Sequence, residues 1–202
     1  MKTININCII DMSGSMSSII EEARKGFNTF LKDQKKSGNK INFSLMFFDT
    51  DFYMPYKDVD INDVDNVNED TYYAGGGTSL YDAIGKICDD YVEKLAITPK
   101  DKRADKTLIV ILTDGEENGS RVYNREYIKA IVTDMRENLK CEFIYLGANQ
   151  DSCFVAESMG MSISNAFNYS ATNDGINIAY SNISKATSYY VENDVSENLF
   201  QL

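Results

Sequence analysis

Apolar residues in this chain switch about six times between two spacings, and that alternation restricts the fold more than any other feature of the sequence. Ile4 to Ile10 is a strand-like run followed by polar Asp11 to Ser18. Ile19, Ala23, Phe27 and Phe30/Leu31 then recur at helical spacing, one stripe of a helix ending near Ser37-Gly38. Ile41 to Phe48 is a second strand, and Phe52 to Tyr56 is its hairpin partner, placed at the sheet edge by Pro55. Asp58 to Asp70 is acidic and weakly patterned, a surface loop with room for one helical turn. After Gly75-Gly76-Gly77-Thr78, the residues Leu80, Ala83, Ile84, Ile87, Cys88, Tyr91, Val92 and Leu95 form the cleanest helical stripe.

Leu108 to Leu112 is continuously aliphatic, as expected of a central parallel strand covered on both faces. Asn124 is placed to cap a helix carrying Tyr127, Ile128, Ile131, Val132, Met135 and Leu139. Phe143 to Leu146 is another buried strand, Phe154 to Met159 a short helix, and Ile163 to Tyr169 a weaker strand. A last helix starts at Asn173-Asp174 and runs through Ala179, Ile183, Ala186 and Tyr190. Alternation of this kind predicts an α/β fold: a doubly wound, mostly parallel sheet with helices on both faces, a three-layer sandwich. One domain is expected over residues 1–191, with residues 192–202 a polar tail that frays.

Composition removes several classes of function. No histidine occurs, so Ser–His–Asp and Cys–His catalysis and imidazole-ligated zinc are excluded. Aspartate and glutamate outnumber lysine and arginine 31 to 20, a net charge of −11, which opposes non-specific binding of nucleic acid or anionic lipid. Cys8, Cys88, Cys141 and Cys153 form no C-x-x-C pair and read as reduced thiols, mostly buried. Residues 1–5 read as the start of a strand, not as a signal peptide. No apolar stretch approaches the about 18 residues needed to span a bilayer. The expected location is the cytoplasm.

In open parallel sheets the functional crevice lies beyond the carboxyl ends of the central strands. Asp11-Met12-Ser13-Gly14-Ser15 directly follows the first strand, Thr113-Asp114-Gly115 follows the aliphatic one, and Thr78 sits in the glycine-rich turn between them. All are hard oxygen donors, suited to Mg²⁺, Mn²⁺ or Ca²⁺. In a tight loop, the first, third and fifth positions can turn into one concavity, with Gly14 letting the backbone bend.

Asp11-x-Ser13-x-Ser15, then Thr78 in Gly-Gly-Gly-Thr-Ser-Leu-Tyr-Asp, then Thr113-Asp114-Gly115 resembles the von Willebrand factor type A domain family and its metal-ion-dependent adhesion site. The order, strand-end placement and intervals agree over nearly the whole chain. The similarity is strongest to compact stand-alone domains of bacteria and their phages. The resemblance implies that Ser13, Ser15 and Thr78 bind the metal directly, and that Asp11 and Asp114 act directly or through water. It implies a protein partner whose aspartate or glutamate completes the coordination. The net negative charge opposes such a partner, but screening over about 8 Å leaves direct contact at the metal in control. Integrin relatives carry acidic residues after the motif that form a second metal site. Ser17 and Ser18 stand there in this chain, so a single metal is expected.

Each residue also has a plainer role. Ser13, Ser15 and Thr78 could cap helices, Asp114 could be a turn residue, and Asp82 could hydrogen-bond a loop or face the helix dipole. Glu116-Glu117 reads as a solvated loop, Tyr72 and Tyr73 as core or aromatic rim, and Asp49-Thr50-Asp51 as a hairpin turn. The rival function is a magnesium-dependent phosphoester hydrolase or nuclease with carboxylates at strand ends. Ser13 stands where a haloacid-dehalogenase-type phosphatase needs a second aspartate. Asp49 and Asp51 have the Asp-x-Asp spacing of toprim nucleases, without the partner glutamate at the first strand end. No positioned base or nucleophile is evident, so binding is expected, not catalysis.

Overall fold

A computed structural model describes residues 2–193, 196 and 198–200. Its elements run β1 (Thr3–Asp11), α1 (Ile20–Lys35), β2 (Lys40–Phe48), β3 (Phe52–Asp60), α2 (Leu80–Ile97), β4 (Lys106–Thr113), α3 (Arg125–Leu139), β5 (Cys141–Ala148), α4 (Ser152–Ser158), β6 (Ala166–Tyr169) and α5 (Asn173–Glu192). They form a six-stranded sheet in the order β3-β2-β1-β4-β5-β6, parallel except for the β2–β3 pair. The chain leaves β1 for β2 on one side and later returns to place β4 on the other. The order therefore reverses between β1 and β4, where open α/β sheets hold their ligands.

Strand alternation sorts the core into two layers. Ile4, Ile6, Cys8 and Ile10 face the layer that contains α1 and α5. Ile9, with Met46, Phe48, Ile109 and Ile111, faces the layer built from α2 and α3. Central β4 and β5 feed both layers, which is why their sequences are apolar without interruption. The cysteines are free thiols, with Cys8, Cys88 and Cys141 buried and Cys153 exposed. Among the described residues, no helix is long and apolar enough to cross a membrane.

Three segments depart from expectation. β3 continues to Asp60, through residues assigned above to the acidic loop. As an edge strand it shows one side to solvent, so its polar residues hide its extent. The weak strand shortens to Ala166–Tyr169, because Ile163–Asn165 forms a 3-10 turn. Finally, within the expected polar tail Leu199 is fully buried and Phe200 packs on Phe167 with ring centroids 5.5 Å apart and planes tilted by 39°, while 194, 195, 197, 201 and 202 of that tail lie outside the described residues. The Asn165 side chain holds the segment by donating to Ser196 O and accepting from Leu199 N.

Helices α1 and α5 meet at a glycine. A Cβ on Gly26 would lie 2.4 Å from Cδ2 and 2.7 Å from Cγ of Tyr180, a buried ring that packs edge-on to Phe27. Replacing an interior helical glycine normally gains a few tenths to 1 kcal/mol. Here the clash reverses the sign, and Gly26→Val is expected to lower stability by roughly 1–3 kcal/mol in urea denaturation.

Candidate metal centre

Asp11 ends β1 with its side chain fully buried. Oδ1 accepts the Ser13 amide at 2.7 Å, and Oδ2 accepts the Thr113 hydroxyl at 2.5 Å, tying the first loop to the end of β4. The Tyr72 hydroxyl donates to the Asp11 carbonyl at 2.9 Å, fixing the backbone from below. Burial pushes the Asp11 carboxyl up to about 6; the hydrogen bonds from Ser13 and Thr113 pull it down, and the charge of Asp114 adds to the rise.

From Asp11 the polar side chains continue without a break. Ser13 Oγ lies 3.0 Å from Ser15 Oγ, and Ser15 Oγ donates to Asp114 Oδ1 at 2.6 Å. Thr78 enters from the glycine loop on the far side of Gly115. A Cβ at Gly115 would sit 3.1 Å from Thr78 Oγ1 and 3.6 Å from Ser15 Oγ, so the missing side chain leaves a cradle between those two hydroxyls. Asp114 is nearly buried, and desolvation raises its carboxyl, opposed by the Ser15 hydrogen bond. Ser15 is exposed, which opens this edge of the cluster to solvent. The structure thus brings all five sequence-predicted residues together.

The capping alternatives do not hold. Ser13 precedes the 3-10 turn Gly14–Ser18 but its side chain makes no cap bond, and α1 is likewise without a side-chain cap. The N-cap position of α2 is Ser79, whose hydroxyl donates to Thr50 O instead of capping. The first-turn amides of α2 are met from elsewhere: Tyr81 N donates to Glu117 Oε2 and Asp82 N to Ser120 Oγ. Thr78 is held by its backbone, its amide donating to Asn118 Oδ1 and its carbonyl accepting from Asn118 and Gly119. None of the three hydroxyls is spent on a helix terminus.

The supporting loops explain the spacing. Gly14 N donates to Gly76 O at 3.1 Å, and Gly75 N donates to Met12 O at 2.8 Å. Gly76 adopts φ +70°, and a Cβ there would meet the Asp49 carboxylate at 2.7 Å. Asp49-Thr50-Asp51 is the expected turn, and it also clamps the glycine loop, accepting Gly77 N on Thr50 Oγ1 and Ser79 N on Asp49 O. Asp82 holds a loop, its carboxylate accepting the amides of Arg121, Val122 and Tyr123. Glu117 corrects the solvated-loop expectation: its carboxylate accepts from Gly119 N, Ser120 N, Ser120 Oγ and Tyr81 N. Its bonds fold the loop onto α2, a role that the paired acidic sequence does not reveal. Tyr72 is core, whereas Tyr73 is 52% exposed.

The residues fit a hard divalent cation. Two carboxylates are desolvated side by side, and among the described residues no lysine or arginine pairs with either. Hydroxyl oxygens supply the remaining donors, a set that suits Mg²⁺, Mn²⁺ or Ca²⁺. No group of three or more His, Cys, Asp or Glu side chains is arranged for a metal among the described residues. Any cation held here would therefore be bound by a mixed hydroxyl–carboxylate set.

The family model for the von Willebrand factor type A domain matches residues 5–188. No curated protein matches the sequence. Among solved structures, proximal thread matrix protein 1 of the mussel byssus, described with a zinc-occupied MIDAS motif, is similar over 93% of this chain and 46% of its own, at 16% identity and a TM-score of 0.63. The pilus adhesin SpaC of Lactobacillus rhamnosus GG, in its open conformation, matches 94% of this chain and 30% of its own, at 14% identity and a TM-score of 0.67. The vWF domain of a type V pilus tip protein of Porphyromonas gingivalis matches 95% of this chain and 97% of its own, at 10% identity and a TM-score of 0.62. This chain spans under half the length of the mussel protein and under a third of the adhesin. At these identities the likeness is one of fold.

Proposed function

The chain belongs to the von Willebrand factor type A domain family, and on that premise we propose that it is a metal-dependent protein-binding domain. Asp11, Ser13, Ser15, Thr78 and Asp114 hold one divalent cation, Mg²⁺ in the first instance, with Mn²⁺ or Ca²⁺ as alternatives. An aspartate or glutamate of a partner protein completes the coordination. The observation that carries this reading is the meeting of three hydroxyls, free of capping duty, with two desolvated carboxylates that no positive side chain neutralises. The zinc described in the MIDAS motif of the mussel protein and the adhesin description of the pilus protein support it.

The division of labour follows from the hydrogen bonds. Asp11 holds the first loop in register through both carboxylate oxygens. Ser15 donates its hydroxyl proton in a hydrogen bond to Asp114, so Ser13 is the donor to Ser15 Oγ and one Ser15 lone pair is left for a cation, on an oxygen that the carboxylate acceptor makes a better ligand. With its carboxylates engaged by Ser13, Thr113 and Ser15, the site leaves a bound cation poorly neutralised. Such an ion supplies an electrophilic position for a carboxylate oxygen. The protein's own residues bind and orient. Asp49 and Asp51, the pair at nuclease spacing, are joined to each other in a turn, where the Asp51 amide donates to Asp49 Oδ1. Binding without turnover is therefore proposed over phosphoester hydrolysis. The four free cysteines, three of them buried, support a cytoplasmic setting.

Calorimetric titration with Mg²⁺ and Mn²⁺ tests the reading. One site is expected, weakened at least tenfold by Ser15→Ala or Thr78→Ala, with thermal unfolding of the metal-free variants close to wild type. Absence of binding at millimolar metal, or turnover of p-nitrophenyl phosphate or plasmid DNA in Mg²⁺, contradicts it.

A further inference from the structure

Successive rows across the sheet face beneath α2 change in chemistry. Ile9 lies between Met46 and Ile111, an apolar row in the layer built from α2 and α3. Two residues earlier, Asn7 lies between Ser44 and Ile109, and before it Asn5 lies between Asn42 and Thr107, so the floor turns polar. Asn42 Nδ2 donates to Asn5 Oδ1, and Asn5 Nδ2 to Thr107 Oγ1, closing the last row. Asn7 Nδ2 is enclosed and makes no hydrogen bond with a described residue. It borders a cavity of about 40 Å³ between this floor and the second half of α2, room for about three waters.

The helix above changes character at the same level. Leu80, Ala83, Ile84, Gly85, Ile87 and Cys88 are buried, then Tyr91, and none of the described residues from Val92 to Ile97 is. Ile97 is 84% exposed. Polar ties take over from apolar packing. The Tyr91 hydroxyl shares a hydrogen bond with Thr107 Oγ1, and Arg103 donates to the Leu95 and Thr98 carbonyls. Two ion pairs cross to β3, Lys57 with Asp90 at 3.1 Å and Lys94 with Asp58, and Asp90 also pairs with Lys86 inside the helix. Lys57 and Asp58 form a bulge opposite Ser44, where Asp58 adopts φ +56° and its amide donates to Ser44 Oγ. A bulge re-aims side chains, and this one turns two charges of β3 toward α2.

We propose that residues 90–97 of α2 form a salt-sensitive latch, which opens from the sheet while the first half of the helix stays in place. Opening uncovers asparagine, serine and threonine that water solvates, whereas an apolar floor would impose a hydrophobic cost. Water in the cavity satisfies the Asn7 amide in the closed state. The ion pairs to β3 set the balance, and their lysines reach solvent, where salt screens them. The first half of α2 carries the buried apolar face and begins two residues after Thr78. The latch therefore moves without the candidate metal centre, and the inference is independent of the function proposed above.

Hydrogen exchange of the full chain in EDTA, read by mass spectrometry at about 50 mM and about 1 M KCl, tests this. Residues 90–97 are expected to exchange faster than 80–88 at low salt, with the gap widening about fivefold at high salt. Lys94→Ala, at the rim of the cavity, should widen the gap at low salt and remove most of its salt dependence. Asn7→Met places an apolar side chain in the cavity and is expected to narrow the gap about threefold. Exchange of 90–97 that tracks 80–88 at both salt levels overturns the latch, as does a salt effect that Lys94→Ala leaves intact. A gap that Asn7→Met leaves unchanged or widens overturns it too, because the polar floor would then not be what lets the segment open.

Discussion

In EDTA, Asp11→Asn is expected to gain stability over wild type as the pH rises from about 4 to about 7, by about 3 kcal/mol. The sign follows from the direction of the shift. Burial raises the folded-state carboxyl from 3.8 to about 6, so the folded protein binds this proton more tightly than the unfolded chain. Wild type is therefore favoured below the unfolded value, and loses that advantage as the pH climbs through the folded one. The amide of D11N has no charge to desolvate. It can still accept the Ser13 amide, and its NH₂ can donate to Thr113 Oγ1, whose own proton can turn to Gly115 O at 3.0 Å. For a domain of this size the gain is a Tm difference of roughly 6–12 °C. Saturating Mg²⁺ should erase or reverse it, because a cation beside Asp11 offsets the desolvation of the charged form. Thermal melts at several pH values, with EDTA and with Mg²⁺, check this; a difference independent of both pH and metal contradicts it.

Asp82→Ala is expected to cost on the order of 2–4 kcal/mol and to loosen the loop between β4 and α3. One carboxylate accepts the consecutive amides of Arg121, Val122 and Tyr123, and its removal leaves three donors to find new partners. The same loop carries Asn118, which holds the Thr78 amide, and Glu117, which bonds to α2. Faster hydrogen exchange should therefore extend from residues 116–123 to Thr78, with β1 and β5 unchanged. The loss should also weaken Mg²⁺ binding, although Asp82 lies outside the five proposed ligands. Exchange confined to Arg121–Tyr123, with metal affinity intact, would separate the loop from the site.

The sequence made the architecture legible where one period dominated. Leu108 to Leu112 could only be a strand covered on both sides, and Leu80 to Leu95 could only be an amphipathic helix. β3 was visible as far as Tyr56, but Lys57 to Asp60 continue it on a solvent-facing edge where no apolar period exists. The burial of Leu199 depends on Asn165, 34 residues away, a pairing that no local pattern encodes. The five candidate site residues were legible because their oxygen chemistry sits at strand ends and loop positions that only convergence explains. Their supports were not. Thr113 bonds Asp11 across 102 residues, Tyr72 reaches the Asp11 carbonyl across 61, and Asn118 meets Thr78 across 40. Glu117 shows the limit best. Its sequence setting is that of a solvated acid, and only the approach of α2 and Ser120 turns it into the hub of a loop.

Crystals soaked in Mn²⁺ and measured at the manganese absorption edge test the central claim most directly. One anomalous peak is predicted, bonded to the hydroxyl oxygens of Ser13, Ser15 and Thr78, with Asp11 and Asp114 beside it and one coordination position open to solvent. No peak at that place, or a peak whose coordination is closed entirely by the protein's own side chains, would contradict it.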